Sequence, residues 1–249
     1  MKVEFIGVGE AFDESLPNNS QILEWEGCRL MIDCGYSIPP VLWKKHPEPD
    51  YLDAIYLSHR HADHYFGLPS VLLRFAEDQR KKSLVVLCPD GMKAIILEMM
   101  EYAYLGVFPR LNYDIKFHEV IADEPVEFRN ASLAFAVSSH PVRNFAIAVT
   151  SNETKYAYSG DGNFNTRTRE LYSNCSLLVH EAYAFGFEPQ GHATIDKLLV
   201  MAREQHVKRL ALTHIRRDVR KNRMQEIRAR IRDSQLDVII PEPGDVLEL

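Results

Sequence analysis

Only four cysteines occur in the 249 residues, Cys28, Cys34, Cys88 and Cys175, and they lie far apart without a CxxC pair. That spacing excludes a disulfide framework and offers no thiolate zinc site, so free buried thiols are the expected state. A basic excess is equally absent. The net charge is −6 at pH 7 and the pI is near 5.9, which argues against a broadly basic nucleic-acid surface while leaving room for one locally basic cleft. No segment approaches the roughly 20 apolar residues that a bilayer span needs, and the opening MKVEFIGVGEAF has no basic stretch followed by a long apolar one. A cytoplasmic protein without a membrane partner is the expectation. Internal repeats, low-complexity tracts and long linkers are missing as well.

What is present is a 46% hydrophobic, 26% charged composition, enough for a sizeable core and for one α/β domain over residues 1–249. Strand-like runs come first: VEFIGV, then QILEWEG and CRLMIDC split by a tight turn at Gly27. DAIYLS leads into a histidine cluster, and apolar spacing predicts helices over residues 65–82 and 90–104 around the strand SLVVLC. Short strands return between Tyr113 and Tyr158, including SLAFAVSS, FAIAVTS and KYAYS. Strands LLVH, RLALTH and DVIIP then alternate with helices over residues 192–205 and 219–232. Two mixed sheets packed face to face with outer helices, an αββα sandwich, follow from this order. The apolar stretch Ala103–Pro109 reads as core, as a lid or as a homodimer contact.

The strongest local feature is Ser58-His59-Arg60-His61-Ala62-Asp63-His64, set where a strand ends and a helix begins. Side chains two apart on extended backbone point the same way, so His59 and His61 can grip one ion. Asp63 and His64, at the helix entry, turn elsewhere and can serve a second. Nitrogen and oxygen donors of this kind suit zinc, and manganese or iron would also accept them. A polar loop that happens to hold histidines is the bland alternative. His140, Asp161 and His214 each directly follow a later apolar run, where strand ends converge on one edge. Singly, each reads more readily as a turn or surface residue; as a set ending successive strands, they read as ligands. His118 and His206 fit no motif and His46 sits in a Pro-rich turn, so all three are assigned to structure or surface.

The series HxHxDH, a single His, SGD and a final LTH resembles the metallo-β-lactamase superfamily. FIGVGEA with Asn18-Asn19-Ser20, IDCG, LLVHEA, GHAT and LALTHIRR resemble its ribonuclease Z-like branch over nearly the whole chain. The resemblance implies a single domain of that fold and two divalent ions, zinc foremost. His59, His61 and His140 would hold one ion, Asp63, His64 and His214 the other, and Asp161 would bridge them. It further implies hydrolysis through a metal-bridging hydroxide, His192 as proton donor and Glu181 as its partner carboxylate; Asp63 is an alternative proton carrier. Arg143, Arg216 and Arg217 lie near ligand positions and are candidate phosphate contacts.

One departure bears on substrate. Residues 141–160 read as one plain hairpin, leaving no room for the arm with which ribonuclease Z grips transfer RNA. A small anionic phosphodiester is therefore the expected substrate. A ribonuclease Z-type RNA endonuclease, or a carboxyl-ester, lactone or thioester hydrolase on the same ions, are the alternatives. Redox chemistry fits less well because the di-iron relatives carry HxExD where this chain has His61, and a non-catalytic scaffold fits less well because all seven ligand positions are filled.

Overall fold

A computed structural model describes residues 1–249. The first half contributes strands β1 (Lys2–Gly7), β2 (Ser20–Trp25), β3 (Cys28–Ile32), β4 (Ala54–Tyr56), β5 (Leu84–Pro89) and β6 (Ile115–Val120). Its helices are α1 (Ile38–Lys45), α2 (Ala62–Tyr65), α3 (Leu68–Glu77) and α4 (Met92–Ala103). The second half contributes β7 (Val126–Phe128), β8 (Ala131–Val137), β9 (Phe145–Ser151), β10 (Thr154–Tyr158), β11 (Leu177–Glu181), β12 (Leu210–Thr213), β13 (Val238–Ile239) and β14 (Val246–Glu248). Its helices are α5 (Thr166–Tyr172), α6 (Ile195–Glu204) and α7 (Arg217–Ser234).

The expected αββα sandwich is observed. Two seven-stranded sheets form, ordered β14-β1-β2-β3-β4-β5-β6 and β13-β12-β11-β10-β9-β8-β7. Each begins as an antiparallel meander and continues as parallel strands. The two sheets thus follow the same route although no sequence repeat announces it. The β2–β3 turn has Glu26 and Gly27 at φ of 45° and 79°, the two-residue form whose twist matches the flanking strands.

Period-two alternation divides the apolar residues among three cores. Phe5, Leu30, Ile32 and Tyr56 face Phe135, Ile147, Val149 and Val179 between the sheets. Their chain neighbours Ile6, Met31 and Ile55 pack outward with Leu68, Leu72 and Ile96 of the first sheet's helices. Ala146, Ala148 and Leu178 pack outward under Leu198, Met201 and Ile227. Each fully buried aliphatic side chain contributes about 1.5–3 kcal/mol, so a one-residue register slip would transfer whole rows between cores.

Several boundaries differ from the sequence reading. The helix expected over 65–82 is two, α2 and α3, because Gly67 lies so near Gly35 that a Cβ would stand 2.3 Å from its carbonyl oxygen, and Pro69 is tolerated only in a first turn. The helix expected from His192 begins instead at Ile195, where the Thr194 side chain accepts from Lys197 N–H at 3.4 Å; His192 therefore stands in the preceding loop. Leu105 and Tyr102 are 79% and 84% exposed, so the end of α4 is not core. No helix is long and apolar enough to cross a membrane. His118 and His206 are exposed, whereas His46 stacks on Tyr51 at 3.9 Å and bonds Glu4 at 2.8 Å.

Two polar clusters pin the first sheet. The fully buried Arg80 guanidinium donates to the carbonyls of Pro49, Leu52, Lys82 and Ser83, and lies 5.0 and 5.5 Å from the Phe75 and Tyr113 rings. Arg80→Met would leave buried carbonyls unpaired at a cost of about 3 kcal/mol, so the thermal midpoint followed by circular dichroism should fall by roughly 6–12 °C. A shift within error would show that water replaces the guanidinium freely.

Glu4 accepts from Lys45 Nζ at 2.7 Å beside His46. Burial pushes its carboxyl up, but these hydrogen bonds and charges outweigh it and set the pKa below the usual 4.5. The stabilisation is therefore full above the unfolded value and fades as pH falls through the lower folded one. Glu4→Gln should lower the urea midpoint at pH 7, and its deficit against wild type should close progressively below pH 4.5; a deficit independent of pH would refute the linkage.

Candidate metal centre

The site is assembled where strands run out on one edge of the sandwich. After β4 the chain runs through Ser58 and His59, bends at Arg60 and is extended at His61 (φ −84°, ψ 144°), and α2 then turns Asp63 and His64 away. The exit of β3 fixes this loop from behind: Cys34 N–H donates to His64 O at 2.7 Å and Gly67 N–H to Cys34 O at 2.9 Å. A Cβ on Gly35 would stand 2.0 Å from the Asp63 carbonyl, so only glycine permits this approach.

Asp33 is the support that the sequence reading missed. Its carboxylate is fully buried and accepts from Ser58 N–H (2.7 Å), Ser58 Oγ (2.8 Å), His64 Nδ1 (2.7 Å) and Tyr158 Oη (2.7 Å). With Nδ1 of His64 paired to Asp33, Nε2 is the ring nitrogen that faces the cluster. Asn144, also missed, accepts from Asp161 N–H at 3.1 Å and donates to Ser138 Oγ and Ser159 O at 2.8 Å, shaping the SGD turn. The IDCG run was the available signal for Asp33. Asn144 gave none, because its partners only meet in the fold.

The seven expected ligand positions come together as two sets that could each hold an ion: His59, His61, His140 and Asp161, and Asp63, His64, Asp161 and His214. In the first, His61 Nδ1 is 3.2 Å from His140 Nε2 and His59 Nε2 is 3.9 Å from Asp161 Oδ2. In the second, His64 Nε2 lies 3.2 Å from Asp63 Oδ2 and 3.4 Å from Asp161 Oδ1, and His214 Nε2 lies 3.3 and 3.6 Å from the same two oxygens. Donors about 2.0–2.1 Å from a tetrahedral ion stand about 3.3–3.4 Å apart, so the spacing fits. His59 Nε2, His64 Nε2 and Asp161 Oδ1 are buried without any hydrogen-bond partner, a costly arrangement in a core and a fitting one for metal donors.

Electrostatics divide the sets. Burial, with the charge of His64, holds His59 well below the usual imidazole range, and burial lowers His61 and His140. Burial would raise Asp63, but His64 and His214 depress it; His214 and His64 likewise depress Asp161. Burial would also lower His64 and His214, yet the facing carboxylates raise both, His214 to about 9. Protons there take the place that a cation would take, as expected of a cation-binding donor set.

Beside these sets opens a cleft of about 310 Å³ that His61, Asp63, Asp161, His192 and His214 all line. His192 Nδ1 meets Glu181 Oε1 at 3.0 Å. Glu181 is fully buried and also accepts from the backbone of Gly162, Ala193 and Tyr183, which rules out a surface carboxylate. The three arginines stand apart from the cleft lining. Arg143 pairs with Asp90 at 2.7 Å in a neighbouring pocket that His59 also lines, Arg216 pairs with Asp218 at 2.8 Å, and Arg217 pairs with Glu10 at 2.6 Å.

Comparison with known proteins agrees with this arrangement. The family model described as anti-Pycsar protein Apyc1 matches residues 1–235. A relative of that name from Paenibacillus harenae is 33% identical over 211 residues, covering 81% of this chain and 84% of its own length. Ribonuclease Z from Ignicoccus hospitalis is 25% identical over 268 residues, covering 86% and 88%. The crystal structure of the metallo-beta-lactamase fold protein YhfI from Bacillus subtilis is similar in fold, with a TM-score of 0.83 at 22% identity over 100% of this chain and 99% of that one. The chain belongs to the anti-Pycsar protein Apyc1 family and is a metal-dependent hydrolase of the metallo-β-lactamase fold.

Proposed function

We propose that the chain is a dinuclear zinc-dependent phosphodiesterase acting on small or nucleotide phosphodiesters. The observation that carries this reading is Asp161, whose Oδ2 faces the first donor set and whose Oδ1 faces the second. When bound, two such ions supply Lewis acidity and a water acidified from about 15.7 toward roughly 7. The donor chemistry suits zinc and tolerates manganese or iron(II).

The protein's own groups do the remaining work. Glu181 accepts a hydrogen bond from Nδ1–H of His192, leaving Nε2 to carry the proton that moves. Burial alone would lower the His192 pKa, but the hydrogen bond and charge of Glu181 raise it, the direction that suits a proton donor to a leaving alkoxide. The Tyr183 ring stacks on His192 at 4.4 Å and shields one face. Asp63, held ionised by His64 and His214, suits ligation better than proton transfer.

An alkoxide leaving group, which this donor serves, is what a phosphodiester of an alcohol releases, and a related chain is named for cleaving RNA. Size favours a smaller substrate than transfer RNA. Residues 141–160 hold little beyond the β9–β10 hairpin, and the ribonuclease Z alignment runs 268 positions while taking in 86% of this 249-residue chain, so that relative carries additional residues.

The purified protein should contain about two ions per chain and hydrolyse bis(p-nitrophenyl) phosphate faster than p-nitrophenyl acetate. Esterase activity alone would overturn the phosphodiesterase reading and favour a carboxyl-ester, lactone or thioester substrate. His59→Ala with His61→Ala should remove activity and lower metal content, measured by plasma emission; retention of both would overturn the site. His192→Ala should lower kcat at least about 100-fold for an alkoxide leaving group, and much less for p-nitrophenolate, which departs unprotonated. An equal loss on both would remove His192 from the donor role.

A further inference from the structure

One wall of the cleft has no part in the chemistry just described. Phe12 lines it with 74% of its surface exposed, beside Tyr36 at 49%. Such a ring could be an incidental surface residue, but its loop is built to hold it. Glu10, only 1% exposed, accepts Phe12's own backbone N–H on Oε2 at 2.9 Å and Arg217 on Oε1 at 2.6 Å. Gly9 N–H donates to Pro17 O at 2.8 Å to close the base of the loop. The Tyr36 hydroxyl donates to the Ala11 carbonyl, and Lys221 pairs with Glu14. The Arg217 guanidinium lies 5.9 Å from the Phe12 ring centre.

We propose that Phe12 is a specificity-determining residue, a stacking platform for the planar base of a nucleotide substrate, and that the Glu10–Arg217 pair is its positioning device. The inference rests on the phosphodiester reading and deepens it. The cation-binding donors fix where a phosphate sits, and Phe12 offers a flat apolar face at the rim of the same cleft. Stacking of a base on an aromatic ring tolerates any base, since every base has a π-face. Arg217 then acts through the loop and not on phosphate, consistent with its bond to a carboxylate that is otherwise buried.

The direct test uses metal-loaded Phe12→Trp protein. Titration with uridine 5′-monophosphate should quench its added fluorescence saturably, and ribose 5-phosphate should not; Trp25 and Trp43 in the parent protein give the background. No quenching, or equal response to both ligands, overturns the proposal. Phe12→Ala should raise the KM ratio between thymidine 5′-(p-nitrophenyl phosphate) and methyl p-nitrophenyl phosphate about tenfold. Glu10→Gln and Arg217→Met should raise the same ratio, the double variant no further than either alone, with partial rescue by Arg217→Lys. An unchanged ratio overturns the specificity role. Hydrolysis of neither diester by the parent protein would instead overturn the phosphodiester reading, while the fluorescence titration would still decide whether Phe12 stacks on a base.

Discussion

The buried carboxylate of Asp33 is the constraint on which the site depends. It joins the exit of β3, the loop after β4, the first turn of α2 and, through Tyr158, the opposite sheet. Four donors on two oxygens nearly saturate the group, which is what makes a buried carboxylate tolerable. One of the four is His64 Nδ1, so the bonds that join the two sheets also set the tautomer of a candidate ligand. Fold and chemistry are coupled at a single side chain.

The surrounding backbone carries strain in the same places. Asp33 and His214 both adopt left-handed conformations, with φ of 58° and 54°, although neither is glycine. Aspartate and histidine are among the residues that tolerate this region best, yet each still costs on the order of 1 kcal/mol or more. Both are held by neighbours: Asp33 N–H donates to Tyr56 O at 2.8 Å, and His214 N–H donates to Val8 O at 2.8 Å. The second bond ties the last candidate ligand of the series to Val8, just past the end of β1, and the β1–β2 loop there carries Glu10 and Phe12. The rim of the cleft and its floor are consequently one structure, clamped from the far side by the first turn of α7.

The legible parts of the sequence were those whose partners are close in the chain. His59, His61, Asp63 and His64 announce themselves because six consecutive residues already place donors in two directions, and short apolar runs such as VEFIGV and CRLMIDC read directly as strands. His140, Asp161 and His214 were legible as residues ending strands. Less visible were features created by long-range closure. Asp33 gains its meaning from donors at positions 58, 64 and 158, and Glu181 from donors at positions 162, 192 and 193. Helix α1 was not read from the sequence; Pro39-Pro40 stand in its first turn, where a missing N–H leaves no helical bond unmade. Strand β14 is three residues long and exists through pairing with β1 at the other end of the chain. Arg143 and Arg217 were close to ligand positions in sequence, but their carboxylate partners Asp90 and Glu10 were not.

Asp161 shared between two donor sets is the central claim, and anomalous diffraction from a crystal of the zinc-loaded protein, recorded at the zinc edge, tests it most directly. The account predicts two peaks, one within bonding reach of His59, His61 and His140, the other of Asp63, His64 and His214, with one oxygen of Asp161 on each. A single peak, or two peaks of which only one touches Asp161, would contradict it.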